Sequence, residues 1–579
     1  MTALLTDNLP LLADAPDGIK KLRELILELA VRGKLVAQDP SDEPASGLLK
    51  HIAEEKARLV AESKIKKQKS LAKITVEEIP FFIPTHWEWV RLDSLLKKIG
   101  AGSTPLGGKQ AYVAGGVKFL RSQNVWNEGL RLNDVAFIPE ETHKKMSGTH
   151  VEAGDLLFNI TGASIGRCAA VPSDFDTGNV SQHVTIIRPV SIEIQPFLHV
   201  VLVSQLVQQT VMDMQVGVSR EGISIGKLSQ FLIPFPPEAE QHRIVAKVDE
   251  LMALCDRLEA QQADAESAHA QLVQTLLDSL TQASDATDLA TNWQRLAEHF
   301  HTLFTTESSI DALKQTLLQL AVMGKLAPQD PNDEPANKLL RRIVSDRQQL
   351  ANEGRFKKHK SLTEITEEEK LFSIPQNWEW ARISSFSELK SGLAYKSEAF
   401  SEVGKNQVIR MGNIRPSMLR LETNPAFISN DLARDTFDFS LVAGDIVLTM
   451  TGTKGKQDYL YSALIEEKHL EQNQLFLNQR LCAVRTQYIN HKFLTLILQD
   501  QRLLYPIFRS STGTANQANI GMSTLNNWAL PIPPLAEQNR IVNVADQVMN
   551  ICEAIKIKIN KSYNVHNLIS SALIVEGLA

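Results

Sequence analysis

The chain is written twice. Leu29–Trp89 aligns without a gap to Leu320–Trp380, a shift of 320 − 29 = 291, and 33 of the 61 positions are identical. A second pair follows: Ile233–Val245 (IPFPPEAEQHRIV) matches Leu530–Val542 (LPIPPLAEQNRIV) at a shift of 530 − 233 = 297. Self-similarity of this kind marks one structural unit used twice, so any fold proposed for one half has to serve for the other. With 579 residues there is ample chain for several cores.

Two kinds of segment alternate along this frame. After each Pro-Pro pair an apolar series runs in steps of four and three. Ile244, Val248, Leu251, Cys255 and Leu258 map onto Ile541, Ala545, Val548, Cys552 and Ile555, and later Leu272 and Leu276 map onto Ile569 and Leu573. That period predicts two long amphipathic helices whose seams pack on each other over 244–276 and 541–573. Proline is tolerated in a first helical turn, which suits Pro236-Pro237 and Pro533-Pro534 at their starts. Between the shared segments lie blocks that have diverged in letters but keep their landmarks in order: an Arg-x-x-Asn at Arg121 and Arg410, Ala-Gly-Asp at 153–155 and 443–445, and Thr-Gly at 161–162 and 451–452. Short apolar runs separated by these turns predict strands of a mixed sheet, followed by a helix over 195–215 and again over 490–509. The expected organisation is therefore a conserved helical region 1–85, a first domain 86–237, a central helical region 238–376, a second domain 377–534 and a last helix 535–579. The expected fold class is mixed α and β: two α/β domains joined by long, paired amphipathic helices in a duplicated, pseudo-two-fold arrangement.

A net charge of −6 does not exclude a polyanion as ligand, because the acid is localised. Residues 238–376 hold 15 Lys+Arg against 23 Asp+Glu; 86–237 hold 13 against 13, and 377–534 hold 16 against 14. The domains are thus neutral to slightly basic. An engine is missing from the letters. There is no GxxxxGK[ST] loop, and 451–456 (TGTKGK) has the wrong spacing. No GxGxxG opens a helix after a strand. Asn424-Pro425-Ala426-Phe427 resembles the Asn-Pro-Pro-Phe/Tyr tetrapeptide of amino-methyltransferases but lacks the second proline and reads as a turn. His143, His150 and His183 have no metal spacing, and the four cysteines form no CxxC pair, which fits a reducing cytoplasm. The N-terminus has no basic n-region, so no signal peptide is expected, and no apolar run reaches the roughly 20 residues of a membrane span.

These landmarks carry a resemblance. Two variable domains between repeated helical segments, each closing on Pro-x-Pro-Pro and then Glu-Gln-x-Arg-Ile-Val (Pro234–Val245, Pro531–Val542), look like the specificity subunit of type I restriction–modification systems. The long shared segments RGKLVAQDPSDEPA and MGKLAPQDPNDEPA are most similar to the type IB group. The resemblance implies that each domain reads one half of a split double-stranded DNA target. It implies that the conserved helices set the spacing and dock two methyltransferase subunits, joined by restriction/translocase subunits. It also implies that S-adenosylmethionine, ATP and Mg are bound by those partners, with no cofactor, metal or catalysis in this chain. The alternative is a duplicated protein-binding scaffold without DNA specificity.

Base edges are read by Arg, Lys, Asn and Gln projecting from loops at one edge of a rigid sheet. In the first domain this selects Arg121, Gln123, Asn124, Ser164, Arg167, Ser219 and Arg220, the last two in the glycine-flanked loop 217–222. In the second it selects Arg410, Asn413, Lys454, Lys456, Gln517 and Asn519, the last two in loop 513–521. Arg121 and Asn124 sit at a strand end matched in both halves, a position that equally suits a cap within the fold. The basic clusters Lys64-Lys66-Lys67-Lys69 and Arg355-Lys357-Lys358-Lys360 either touch phosphates or are solvated linkers, and the linker reading is favoured.

Overall fold

The computed structural model describes residues 15, 17–66, 72–216, 222–353, 363–416, 418–513 and 516–578. The cluster Lys64-Lys66-Lys67-Lys69 lies partly outside these residues, and the cluster Arg355-Lys357-Lys358-Lys360, like Ser219 and Arg220, lies wholly outside them. The chain divides into two compact units, Met1–Ala265 with Ser562–Ala579, and Glu266–Lys561. Each unit therefore contains a piece of both long helices.

The first unit opens with α1 (Gly18–Val31) and α2 (Ala45–Ala61). Its sheet domain begins at β1 (Glu88–Arg91) and ends at β12 (Leu232–Phe235), and these two strands pair antiparallel, Glu88 opposite Phe235 and Arg91 opposite Leu232. The chain thus leaves the helical frame and returns to it at one place. Between them, β2 (Leu96–Ala101), β11 (Val184–Pro189), β8 (Leu156–Asn159) and β9 (Cys168–Ala170) form an antiparallel sheet in that order. A second sheet runs β6 (Ala136–Ile138), β3 (Val117–Leu120), β10 (Gly178–Val180), β7 (His150–Val151), with β3 and β10 parallel. Leu156–Asn159 is buried throughout, three apolar residues and an asparagine whose amide donates to the Ser122 carbonyl at 2.9 Å. A hairpin of β4 (Val125–Trp126) and β5 (Gly129–Leu130) packs beside β8 and β9.

The helix predicted over 195–215 is two helices, α3 (Gln195–Val203) and α4 (Gln205–Val216), broken at Ser204. Ser204 is buried in an extended conformation, and its hydroxyl donates to the Val201 carbonyl at 2.7 Å. A short side chain that competes for backbone partners supports such a break.

The Ala-Gly-Asp landmark has a defined job. Asp155 is 0% exposed and takes two bonds from Arg188 of β11, at 2.6 and 2.8 Å, while also accepting from the Glu152 amide at 2.7 Å. Gly154 precedes it at φ +82°, where a Cβ would also meet Ile192 at 2.9 Å. Asp445, Arg485 and Gly444 repeat this arrangement in the second unit, with Gly444 at φ +93°.

From Pro237 the chain enters α5 (Glu238–Gln282), and α6 (Ala286–Glu298), α7 (Glu307–Val322) and α8 (Ala336–Asn352) follow. The second sheet domain repeats the first in outline. It is closed by β13 (Glu379–Arg382) against β25 (Ala529–Ile532). One sheet runs β14 (Glu388–Ser391), β23 (Leu481–Arg485), β19 (Ile446–Thr449), β21 (Ser462–Leu464). The other runs β18 (Phe427–Ile428), β15 (Asn406–Ile409), β22 (Gln474–Leu477), with β15 and β22 parallel. The corresponding hairpin is β16 (Ile414–Arg415) and β17 (Met418–Leu419). A further pair joins β20 (Thr451–Thr453) to β24 (Gln517–Asn519). The helix predicted over 490–509 is again broken, into α9 (His491–Ile497) and α10 (Gln501–Arg509), where buried Asp500 caps the amides of Arg502 and Leu503. The C-terminal helix α11 spans Leu535–Leu578.

The segments that kept their letters hold each other. Asp42 of DPSDEPA pairs with Arg243 of EQHRIV at 2.6 Å, and Asp333 with Arg540 in the second unit. The Trp87 indole donates to Glu240 at 3.0 Å, and the Gln241 and Gln538 amides donate to Pro236 and Pro533 carbonyls at 2.9 and 3.0 Å. Ile244, Val248 and Cys255 bury with Ile19, Leu22, Ile26 and Leu29 of α1, so this part of the predicted seam packs on a third helix and the domain core. In the second unit Cys552 buries with Val273, Leu277 and Leu280 of α5 and with Leu313, Leu317 and Leu320 of α7. The expected seam positions Leu272 and Ile569 are exposed, and the buried positions are the next residues, Val273 and Ser570. The helix contacts of the two units carry different charges. Arg23 meets Asp256 and Glu259 at 2.6 and 2.7 Å, whereas Lys314 meets Glu553 and Lys556 meets Asp311.

Burial of Glu537 at the start of α11 pushes its carboxyl up to about 7, against the opposing pull of Arg540. A folded value above the unfolded one favours the protonated form, so this contribution to stability is fully present below about pH 4.5 and is lost as pH rises through about 7. Glu537→Gln removes the titration. Relative to the parent chain it should gain on the order of 2 kcal/mol between pH 5 and pH 8. Thermal melts across that range check this, and parallel curves for the two proteins would contradict it.

Candidate nucleic-acid interface

In each domain the loop at the end of β3 or β15 is locked by one buried asparagine. Asn124 is 1% exposed and Asn413 2%. The Oδ1 of each accepts the amide of Arg121 or Arg410 at 2.9 Å. The Nδ2 of each donates to Arg131 or Arg420 carbonyls at 2.9 Å and to Asp134 or Thr423 carbonyls at 3.4 and 2.8 Å. The Arg131 and Arg420 amides in turn donate to the Asn124 and Asn413 backbone carbonyls at 2.9 and 2.8 Å. This arrangement holds the far end of each hairpin against the strand end it follows.

In the first domain the hairpin carries Trp126, with Arg131 3.6 Å from its ring centroid and Arg167 3.7 Å from it. The indole N–H donates to the Gln123 carbonyl at 2.8 Å, which fixes the ring. Arg167 comes from the turn after β8, which is tied to the hairpin because the Cys168 amide donates to Asn127 at 3.1 Å. Ser164 in that turn accepts from Asn159 at 3.1 Å. The neighbouring Ile223 amide donates to Ile160 at 2.8 Å, so the glycine-flanked loop rejoins the fold beside the same turn.

The second domain brings together four of its predicted residues. Pairing of β20 with β24 sets Thr453 opposite Gln517 and Thr451 opposite Asn519. The exposed Lys454 and Lys456 lie on the turn that follows. Gly455 at φ +82° makes that turn, and Asp458 closes it by accepting from the Thr453 amide and hydroxyl, both at 2.7 Å. Those bonds from Thr453 hold the Asp458 carboxyl below its usual range. The hairpin adds exposed Arg415 and Arg420, neither of which meets a carboxylate within ion-pair distance among the described residues.

Several predicted residues are placed differently from a base reader. Asn124 and Asn413 are buried with their side-chain amides spent inside the chain, so they position the hairpin instead of facing solvent. Arg121 and Arg410 donate to the carbonyls of Asp134 and Asn424, and Gln123 to the Asp134 carboxylate. Asn424, at φ +46°, lies in a turn, as read from the sequence. Arg167, Lys454, Lys456, Gln517 and Asn519 lie at exposed or half-buried positions of the loop edge. The sequence reading did not single out Trp126, Arg131, Arg415 and Arg420, which the fold places beside the predicted residues. A usable signal was present: an Arg stands seven residues after the shared Asn in both copies, beyond a short hairpin.

Among the described residues no helix is long and apolar enough to cross a membrane. The family model for the type I restriction modification DNA specificity domain matches residues 84–266 and again 375–562. The type I restriction enzyme EcoAI specificity subunit of Escherichia coli is 38% identical over 568 residues, 95% of this chain and 92% of its own length. The EcoEI specificity subunit of the same species is 35% identical over 575 residues, 96% of this chain and 93% of its own. A solved chain from work on complex assembly and conformational transition of the type I R-M system superposes with a TM-score of 0.51 at 16% identity, covering 86% of this chain and 99% of that one, a likeness of fold. With the family's domain present twice on a duplicated frame and two such relatives along nearly its whole length, the chain belongs to the specificity subunits of type I restriction–modification systems.

Proposed function

We propose that this subunit reads a bipartite double-stranded DNA target, one half per recognition domain, and directs partner enzymes to it. The observation that carries the reading is that the two domains share their framing Asp–Arg and Gln–Pro contacts yet differ at the loop edge. The first presents Arg131 and Arg167 on Trp126; the second presents Arg415, Arg420, Lys454 and Lys456. Identical scaffolds with different cationic edges suit two different half-sites. The conserved helices set the gap between half-sites and dock two methyltransferase subunits, to which restriction/translocase subunits join. Exposed Ile557 and Leu568 on α11 support a docking role, since large apolar side chains left in water favour association. S-adenosylmethionine, ATP and Mg belong to those partners, and the assembly works in the cytoplasm.

The test is to map methylated adenines in DNA treated with the complete complex, and to measure duplex binding against salt. Two short specified blocks around an unread gap, with affinity falling steeply as salt rises, are expected. Absence of both sequence preference and salt dependence would overturn the reading in favour of a protein scaffold.

A further inference from the structure

We infer that Arg131 and Arg167, both seated over the Trp126 ring, form the DNA-gripping pair of the first recognition domain, with Arg420 at the corresponding place in the second. The inference rests on the DNA-reading function proposed above and assigns residues to it.

The geometry is that of a prepared site. A guanidinium lying on an indole face loses little further freedom when it forms its in-plane hydrogen bonds, and its edge stays available for two parallel bonds to a phosphate or to guanine O6 and N7. Here two guanidiniums lie over one ring, at 3.6 and 3.7 Å, and the ring is itself fixed by its bond to Gln123. Two cations held over one ring repel. The one carboxylate in ion-pair range of either, among the described residues, is Glu128, 3.7 Å from Arg131, and both side chains are exposed, so it offsets little. A polyanion entering this edge relieves the repulsion that the free protein carries. The buried Asn124 then has a purpose beyond capping: it holds the Arg131 backbone from both its amide and its carbonyl. Asn413 holds Arg420 in the same way. In the second domain the position of Trp126 is taken by Arg415, so Arg420 is placed by its backbone without an aromatic platform.

The experiment uses the complete methyltransferase complex and two readouts, the methylated target and the salt dependence of duplex binding. Arg131→Ala and Arg167→Ala should weaken binding or discrimination at the first half-site by about ten- to a hundredfold, with the second half-site read as before. Arg420→Ala should do the reverse. Arg131→Lys separates the two DNA sources. If Arg131 contacts a phosphate, lysine largely restores binding. If it reads a guanine, lysine restores the salt slope, but preference at one base pair stays relaxed. Trp126→Phe should retain part of the effect and Trp126→Leu should resemble Arg131→Ala, at unchanged thermal stability of the arginine variants. Wild-type complex that reads a split target, alongside Arg131→Ala and Arg167→Ala complexes with unchanged target and affinity, overturns the assignment. A wild-type complex with no sequence preference overturns the underlying function instead.

Discussion

Exchanging residues 86–237 for the corresponding domain of a related specificity subunit should change one half of the DNA target and leave the other half and the gap intact. The entry and exit of the domain are adjacent strands, β1 and β12, so a foreign domain closes on itself before it meets the frame. Its attachment uses groups that are the same in both copies. The Ala45 and Ala336 amides donate to the backbone carbonyls of His86 and Asn377 at 3.0 and 2.9 Å, and Trp87 and Trp378 are both buried beside the start of a long helix. A donor that keeps this Trp should therefore dock without new contacts. Since each base pair carries roughly 1–3 kcal/mol of discrimination, a replaced half-site is a change of several base pairs and is unmistakable in a map of methylated adenines. A swap that altered both blocks would show that the domains do not read independently.

Asp155→Ala should destabilise the first recognition domain by about 3–5 kcal/mol. Burial pushes the Asp155 carboxyl up even though Arg188 and the Glu152 amide favour its charged form, so the intact pair is no large net gain. The cost of the substitution comes from what remains: a largely buried guanidinium facing a hole, with the exposed Glu152 as its remaining carboxylate, and a turn amide without its acceptor. Asp445→Ala should cost less, about 2–3 kcal/mol, because the Arg485 side chain is 39% exposed against 12% for Arg188 and can turn to water. Denaturant unfolding of the full chain, followed by a probe in each domain, checks both the sizes and their order. Equal losses, or a larger loss for Asp445, would mean that the buried turn and not the stranded cation sets the cost.

How much of this was legible beforehand follows from which signals are local. Duplication, the alternation of helical and sheet segments, the Ala-Gly-Asp turns and the helix starts after Pro237 and Pro534 are properties of neighbouring letters, and the sequence by itself determined them. It also determined the family, because the ordered motifs Pro234–Val245 and Pro531–Val542 survive in both copies. Partner identity is not local. A period of 3.6 says that Ile244, Val248 and Cys255 share a face, but only the tertiary structure decided that α1 covers it and that the buried stripe moves by one residue at Val273. Ser204 and Asp500 interrupt helices because each finds a backbone partner at a buried bend, a competition that apolar periodicity does not report. Asn124 and Asn413 were read as candidates for adenine because their side chains can make paired bonds. The fold uses that same bonding capacity internally, and a buried amide already satisfied by its own chain has nothing left for a base. The cations that reach the loop edge stand seven residues further on, where a hairpin that only the folded chain defines turns Arg131 back onto Trp126.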